Sequence, residues 1–239
     1  MKLPLSKRLL ACCDFVTPGD RVADVGCDHG YLSIFLVKNG IASSVIASDI
    51  NEGPLQAAVT HAEKYGVSGK IRFFLSDGVR KIPRDFDTLV CAGMGADVMI
   101  SILDAAPWLR SADYRLILQC QSRTPRLRRF LADSGWRIDR ETVVRDGRFL
   151  YTVMNVIWQP GCSLTAGECW FPPALLVKPS PETGEYYRRC IRQLQIAVNG
   201  KGAQADPIQK EALAELQANV PNIVKEGTLW PPCRIFCLF

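Results

Sequence analysis

The amino-acid sequence predicts an α/β fold, in which helices cover both faces of a mostly parallel sheet and a C-terminal α-helical hairpin follows. Short apolar runs alternate with helical patterns over the first half of the chain, which is typical of βαβ units with right-handed crossovers. Past residue 121, two consecutive strand-like runs meet at Asp146-Gly147, a dipeptide that favours a hairpin turn. An antiparallel pair is therefore expected to close the sheet.

Each element of the parallel series has its own signal. Five short apolar runs predict strands: 21–26, 43–50, 70–78, 87–95 and 114–120. Helices are predicted after the first, second and fourth of these strands. An amphipathic helix is also predicted ahead of the first strand, with Leu5 and Leu9 on one side and Lys7 and Arg8 turned away.

The bulk composition is that of a folded protein with one domain of ordinary size plus an appendage. The 239 residues are 48% hydrophobic and 22% charged. No uncharged apolar run reaches ~20 residues, and the first apolar run is too short for a signal peptide, so we expect a cytoplasmic protein without membrane contact. The ten cysteines lie mostly in apolar runs and only two histidines occur, which predicts reduced thiols and no metal site.

Four segments are predicted along the chain. A sheet domain over 1–159 is followed by a Pro- and Gly-rich linker over 160–184. A helical hairpin is expected over 185–227, and an apolar tail of undetermined status over 228–239. The hairpin prediction depends on two apolar stripes at helical spacing, Tyr187, Ile191, Leu194 and Val198 on one helix and Ile208, Ala212, Leu216 and Val220 on the other.

The loop after the first strand is glycine-rich but departs from a dinucleotide fingerprint. That fingerprint has the spacing Gly-x-Gly-x-x-Gly, in which glycine lets backbone amides approach a pyrophosphate. Here Asp24 takes the place of the first glycine, and the spacing after Gly26 is one residue longer. Because a carboxylate at this place would repel a pyrophosphate, the loop favours a cationic ligand such as an amino-acid ammonium or a sulfonium.

Three acids follow three successive strands. Asp49 ends the second strand, where a carboxylate can accept both hydrogen bonds of a ribose diol, and Asp77 follows the third, placed to contact an adenine amine. Each acid alone is more often a helix cap or a turn residue. Because Asp24, Asp49 and Asp77 converge on one edge of the sheet, together they favour S-adenosylmethionine over a nicotinamide dinucleotide.

The segment Ala92-Gly93-Met94-Gly95 ends the fourth strand, where methyltransferases keep the wall that faces the reactive methyl group. Enzymes that methylate the exocyclic amines of bases carry an Asn/Asp-Pro-Pro-aromatic box at this place, and this chain has none there. Its Pro-Pro pairs, in 171–174 and 230–233, lie beyond the sheet. An exocyclic amine is therefore disfavoured as the target.

The motifs DVGCDHGYL, AGMGA and LILQ, in this order and followed by a helical hairpin, resemble the bacterial tRNA (adenine-N1)-methyltransferase family that acts on position 22, the TrmK family. The resemblance covers nearly all of residues 5–225. It implies a Rossmann-like class I methyltransferase sheet, S-adenosyl-L-methionine as cofactor and tRNA as partner, with the hairpin helping to grip the tRNA. The chain departs from the family pattern at Ala96, where a second glycine is usual, and at Cys120, where proline is common.

The resemblance also implies roles for individual residues. The residues expected to bind the cofactor are Asp24, Gly26, Cys27, Asp28, Gly30, Tyr31, Asp49, Ile50, Asn51, Asp77, Gly78 and Ala92. The residues expected at the catalytic centre are Asp28, His29, Gly93, Met94 and Gly95. We expect Asp28 to stabilise the positive charge that develops on the base. For His29, contact with the base and a cap on the following helix both stay open.

An arginine-rich segment follows the parallel strands. Eight arginines and four acids lie between residues 121 and 148, which predicts a phosphate-binding surface or, alternatively, a solvated helix face. The residues expected to bind RNA are Arg123, Arg126, Arg128 and Arg129.

Two other classes of function are compatible with the same residues. A small-molecule methyltransferase would use the same cofactor loop without gaining from a polyanionic substrate. A noncatalytic adaptor would use the hairpin to bind a partner protein. A nicotinamide oxidoreductase is the least favoured class because of Asp24. The sequence leaves open the oligomeric state and which tRNA is bound.

Overall fold

The computed structural model describes residues 3–224. Its elements in chain order are α1 (Lys7–Cys13), β1 (Arg21–Val25), α2 (Tyr31–Lys38), β2 (Ser44–Asp49), α3 (Glu52–Lys64), β3 (Ile71–Leu75), β4 (Thr88–Gly95), α4 (Ala96–Asp104), β5 (Arg115–Ser122), α5 (Thr124–Asp133), β6 (Trp136–Asp146), β7 (Phe149–Trp158), α6 (Ala166–Trp170), α7 (Ala174–Val177), α8 (Thr183–Lys201) and α9 (Pro207–Val224). Short 3₁₀ helices span Ser68–Lys70, Pro107–Leu109 and Gly202–Gln204. The expected tail over 228–239 and the last residues of the expected hairpin lie outside the described residues.

The strands form one seven-stranded sheet in the order β3-β2-β1-β4-β5-β7-β6. The first five strands are parallel, and β7 runs antiparallel between β5 and β6. The predicted α/β fold class, with its antiparallel closing pair and C-terminal helices, is therefore confirmed. The strand order reverses between β1 and β4, and in such sheets ligands bind outside the carboxyl ends of the strands at this point.

The sheet is covered on both faces, which explains its continuous apolar strands. In β5, Leu116 and Leu118 pack into one core cluster and Ile117 packs into the other. A strand buried on both faces has no polar side to alternate with, so its sequence is an unbroken apolar run. Gln119, directly after this apolar run, is the fully buried polar side chain of β5 and lies toward the carboxyl edge of the sheet.

A third core cluster joins the C-terminal helices to the closing strand pair. Val143 of β6 and Leu150 of β7 pack in the same cluster as Tyr187 of α8 and Leu216 of α9. Within the segment 160–184, Ala166 of α6, Leu175 of α7 and Phe171 between the two helices belong to this cluster. The second predicted stripe differs from the expectation at its first position, since Ile208 is 55% exposed. The side chain of Val220 lies outside the described part of the chain.

One buried ion pair connects these layers. The side chains of Arg128 (α5) and Glu141 (β6) are both fully buried, and Arg128 Nη2 lies 2.6 Å from Glu141 Oε1. The same guanidinium donates to the carbonyl oxygens of Cys169 and Trp170 and to Tyr186 Oη. A side chain enclosed in this way cannot reach a phosphate, so the sequence-based assignment of Arg128 to RNA binding is wrong.

Replacing Arg128 with Met is expected to lower the free energy of unfolding by about 3–5 kcal/mol, because the Glu141 carboxylate is left buried without its partner. The double variant Arg128→Met/Glu141→Met is expected to recover most of this loss. Urea unfolding measures both variants. Arg72→Met, which breaks an exposed pair with Asp85, is the matched control and should cost less than about 1 kcal/mol. An Arg128→Met variant as stable as this control would contradict the structural role.

Candidate active site

A cavity of 270 Å³ opens at the carboxyl edge of the sheet, between the β1–α2 loop, the end of β4 and helix α1. It brings together many of the predicted site residues: Asp24, Gly26, Cys27, Asp28, His29, Tyr31, Ala92, Gly93 and Met94. Other predicted residues do not line it: Gly30, Asp49, Ile50, Asn51, Asp77, Gly78 and Gly95. The cavity thus joins the loop and the β4 wall, which the sequence predicted as the cofactor and catalytic ends of one site.

The β1–α2 loop is held in shape by left-handed backbone and by β2. Gly26 and Gly30 have φ values of 73° and 72°, and a Cβ on Gly30 would lie 2.8 Å from the Cβ of Ala58. The amides of Gly26 and Cys27 both donate to the carbonyl oxygen of Ser48, at 2.8 and 2.9 Å. Glycine is required at these places because a side chain would be strained and would collide with neighbouring atoms.

Asp24 lies buried beneath the cavity, with 3% of its surface exposed. Ser33 Oγ donates to Asp24 Oδ2 at 2.6 Å. Burial raises the pKa of the Asp24 carboxyl from its ordinary 3.8 to about 6, although the Ser33 hydrogen bonds lower it. At neutral pH the cavity therefore contains a buried negative charge, which a cationic ligand would stabilise.

Asp49 ties the loop to the second strand. Its two carboxylate oxygens accept hydrogen bonds from the amides of Asp28, at 3.0 Å, and Asn51, at 2.9 Å. Asp28 has a φ of 51°, in the left-handed region that non-glycine residues seldom adopt. The carboxylate of Asp49 thus helps to hold Asp28 in a strained conformation at the rim of the cavity.

The outer part of the predicted cofactor site is more open. Ile50, next to Asp49, is 63% exposed and presents an apolar surface at the sheet edge. Asp77 is exposed and its Oδ2 lies 3.4 Å from Arg80 Nε. Gly78 has a φ of 58°, and a Cβ there would lie 3.0 Å from Ile102. The roles of Asp77 and Gly78 in binding an adenine stay predictions.

A buried glutamine sets the shape of the β4 wall. Gln119 Oε1 accepts hydrogen bonds from the Gly93 amide, at 3.1 Å, and from Arg8 Nη1, at 2.8 Å. Gly93 has a φ of 85° and lies at an irregularity in the pairing of β4 with β5. The polar Gln119, which follows the apolar run of β5, therefore fixes the backbone that lines the cavity.

Arg8 is a site residue that the sequence reasoning missed. It was expected to turn away from the apolar side of α1, yet its guanidinium lines the cavity and also lies 3.6 Å from Asp146 Oδ2. The sequence indicates this role of Arg8 only indirectly. Gln119 follows an apolar run that is expected to be buried, and a buried amide needs hydrogen-bond partners from a neighbouring element such as α1.

An aromatic rim stands beside Asp28. Tyr31 and His61 stack with ring centroids 4.8 Å apart, and His61 Nδ1 lies 3.0 Å from the carbonyl oxygen of His29. His29 Nε2 lies 3.7 Å from Asp28 Oδ1. The sequence reasoning missed His61, which comes from α3 and joins His29 only in the folded chain.

Three of the four predicted RNA-binding arginines retain accessible positions. Arg123 and Arg126 are mostly exposed and share Asp97 as a partner, at 2.7 and 3.1 Å. Arg129 Nη1 lies 3.4 Å from the carbonyl oxygen of Leu164. Only Arg128 is enclosed, as described above.

Buried thiols contribute no nucleophile to the site. The cysteines of the described chain are unpaired: Cys12, Cys13, Cys27, Cys91, Cys120, Cys162, Cys169 and Cys190. Burial raises the pKa of Cys91 to about 12, and it also raises the pKa of Cys27.

Within residues 3–224 there is no group of three or more His, Cys, Asp or Glu that could hold a metal ion, and no helix long and apolar enough to cross a membrane.

The sheet order and the acidic glycine loop define an enzyme of the methyltransferase class. Residues 5–154 match the family model described as a methyltransferase domain. The chain belongs to this family, and the resemblance to the tRNA (adenine-N1)-methyltransferases noted in its motifs is confirmed.

Individual relatives agree with this assignment. The chain is 32% identical to the tRNA (adenine(22)-N(1))-methyltransferase of Bacillus subtilis over 154 residues, which are 64% of this chain and 65% of the relative. The chain thus spans slightly under two thirds of that curated relative's length. The crystal structure of the Bacillus subtilis m1A22 tRNA methyltransferase TrmK superposes with a TM-score of 0.75 at 27% identity, over 93% of this chain and 98% of that one.

A Streptococcus pneumoniae protein solved in complex with S-adenosyl-L-methionine is 32% identical and superposes with a TM-score of 0.77, over 89% of this chain and 99% of that one. The residues present here fit the same cofactor. The buried carboxylate of Asp24 suits its cationic amino-acid end, and Asp49 beside the exposed Ile50 suits its nucleoside.

Asp24→Asn is expected to weaken S-adenosylmethionine binding about tenfold or more, because a charge-assisted contact is lost. In the wild type, affinity should fall as the pH drops through about 6, where Asp24 becomes protonated, and the variant should lack this dependence. Calorimetric titration between pH 5 and 8 measures both.

Asp24→Asn is expected to weaken cofactor binding but to stabilise the fold. The pKa of Asp24 is raised on folding, so ionised Asp24 destabilises the fold, and this penalty grows as the pH rises from 3.8 to about 6. At pH 7.5 without cofactor, Asp24→Asn should therefore raise Tm by about 3 °C or more. Asp133→Asn, at an exposed position, is the control for both measurements. Weaker binding together with a lower Tm would indicate simple misfolding instead.

Proposed function

We propose that the protein transfers a methyl group from S-adenosylmethionine to N1 of an adenine in tRNA, and that this adenine is at position 22. The observation that carries the proposal is the 270 Å³ cavity, which is lined both by a buried anionic residue, Asp24, and by the backbone wall at Gly93. The similarity to tRNA (adenine(22)-N(1))-methyltransferase of Bacillus subtilis supports the substrate.

The residues of the cavity, and Asp49 at the neighbouring strand end, have distinct tasks in this reaction. Asp24 holds the cationic amino-acid end of the cofactor, and Asp49 accepts the hydrogen bonds of its ribose. Gly93, held by Gln119, forms the wall on the side of the incoming base, and its lack of a side chain leaves room for Arg8 and Gln121 beside it. These tasks position the two reactants in line, which is the main requirement for a methyl transfer.

The chemistry needs no general base. Bound S-adenosylmethionine supplies an electrophilic methyl group on a positively charged sulfur. Adenine N1 has a free lone pair at neutral pH and forms the new N–C bond while the S–C electron pair returns to sulfur. The positive charge moves from sulfur to the adenine ring, so a carboxylate beside the ring stabilises the transition state. Asp28, at the cavity rim, is in position for this role.

The target base has to leave its pair or its stack, because N1 takes part in Watson–Crick pairing. The aromatic rim of Tyr31, His61 and His29 provides a surface on which an extruded base can stack. This arrangement supports contact with the base as the role of His29.

The RNA backbone is held at the same edge of the sheet. Two arginines, Arg123 and Arg126, share the single carboxylate of Asp97, so this exposed group keeps a net positive charge. Such a group binds phosphates irrespective of base sequence. The hairpin of α8 and α9, which packs on the closing strands, extends this surface.

The direct test incubates purified protein with labelled S-adenosylmethionine and unmodified total tRNA, followed by digestion to nucleosides and mass spectrometry. We expect the label in 1-methyladenosine, and a reverse-transcription stop at position 22, because methylated N1 cannot pair. A transcript with guanosine at position 22 is the control and should stay unlabelled. Label only in small molecules, or in another nucleoside, would contradict the proposal.

Asp28→Asn is expected to lower kcat about 10- to 100-fold, because the charge that stabilises the methylated base is removed. Asparagine tolerates the left-handed backbone at this position, so the loop should keep its shape. The Kd for S-adenosylmethionine should change less than kcat, because the backbone amide that joins Asp28 to Asp49 is retained in the variant. Single-turnover methylation and calorimetry measure the two quantities, and Asp133→Asn is again the control. An unchanged kcat would exclude Asp28 as the stabilising group.

A further inference from the structure

A second cavity of 490 Å³ lies beside the first, and the proposed reaction does not use it. It is formed by the end of β5, the start of α5, the start of β7 and the helices α6 and α8. Gln121 lines both cavities. The guanidinium carbon of Arg8, a residue of the first cavity, lies 5.9 Å from the ring centroid of Tyr151, a residue of the second cavity. The two cavities therefore open on the same edge of the sheet.

The charges around the second cavity have one sign. Arg123 and Arg189 line it, and no carboxylate lines it within residues 3–224. No acid of the described chain lies within ion-pair distance of Arg189 either. A cavity of this kind favours an anionic ligand or a segment with phosphates.

The walls combine aromatic rings with a buried hydroxyl. Tyr151, Trp170 and Tyr186 line the cavity, as does Thr152, which is 2% exposed. Thr152 Oγ1 has no hydrogen-bond partner in the described part of the molecule. A buried polar atom without a partner is costly, so its presence indicates a ligand that supplies the missing hydrogen bond.

We infer that this cavity binds one unpaired nucleoside of the RNA, adjacent in sequence to the target adenosine. Aromatic walls, positive charge and an unsatisfied hydroxyl together match the recognition of an unstacked base by stacking, phosphate contact and one hydrogen bond. The volume is within the range of ligand pockets, and the shared Gln121 places the site one step along the strand from the catalytic cavity. The inference rests on the proposed function for its RNA substrate.

Binding a neighbour as well as the target has an energetic reason. Extruding a base costs stacking and pairing energy. An RNA strand whose adjacent nucleoside is stacked on aromatic side chains regains part of this energy. The second cavity would thereby stabilise the distorted strand that presents N1 to the cofactor.

A crosslinking experiment tests the site without requiring methyl transfer. Wild-type protein and unmodified total tRNA are irradiated with ultraviolet light, and crosslinked peptides are identified by mass spectrometry. We expect RNA-bearing peptides that contain Tyr151, Trp170 or Tyr186. Crosslinks confined to other peptides would overturn the inference, whether or not the protein methylates tRNA.

A kinetic cycle then tests the hydrogen bond to Thr152. Thr152→Val should lower kcat/KM for tRNA about fivefold, the value of one hydrogen bond. It should have no effect on a transcript that carries an abasic site at the neighbouring position, since the base is already absent. Thr142→Val, in the adjacent strand β6, is the matched control.

Misfolding would be recognised in the same experiment. Thr152→Val removes an unsatisfied buried hydroxyl without changing the side-chain shape, so Tm without RNA should stay equal or rise. Equal kcat/KM for wild type and variant on the intact transcript would overturn the inference. If the wild-type protein methylates no tRNA, the proposed function is refuted. The crosslinking experiment would then show, independently of methyl transfer, whether the second cavity contacts RNA.

Discussion

The buried pair of Arg128 and Glu141 is the interaction on which the arrangement of the C-terminal half depends. Two charges removed from water have a large desolvation cost, which only complete hydrogen bonding can offset. The guanidinium meets this condition with both oxygens of Glu141, two carbonyl oxygens of the segment 160–184 and the hydroxyl of Tyr186. Since these partners come from α6, α8 and β6, any other docking of the helices would leave a buried charge unsatisfied.

Buried polar side chains also join separate segments at the carboxyl edge of the sheet. Gln119 connects the β4 wall to α1, and Asp49 connects the glycine loop to the end of β2. Each is a buried polar side chain in the carboxyl half of a parallel strand, and each fixes backbone that would otherwise be free to move. The cavity is therefore shaped by a small number of hydrogen bonds between segments far apart in sequence, and the core beneath it provides the rigid support.

Periodicity and turn chemistry were sufficient to predict the sheet and the loop, because those features are local. Parallel strands buried on both faces are unbroken apolar runs, and Asp24 stands where a dinucleotide loop has glycine. Arg8 and Arg128 could not be predicted in the same way. A helical pattern shows which side is apolar, but it does not show which polar residue a distant Gln119 or Glu141 will engage. In the same way, the amino-acid composition of the segment 121–148 does not indicate which of its arginines is buried and which are exposed.

The ion pair and the two cavities are connected through shared residues. Tyr186 bonds to Arg128 on one side and lines the second cavity on the other, while Trp170 contributes its carbonyl oxygen to Arg128 and also lines that cavity. The first cavity, in contrast, is built from α1, β1, α2 and β4 and shares only Gln121 with the second among the described residues. A change in how the hairpin docks would therefore alter the second cavity first and leave the glycine loop intact. In this fold the docking of the C-terminal helices and the shape of the second cavity depend on the same residues, Trp170 and Tyr186.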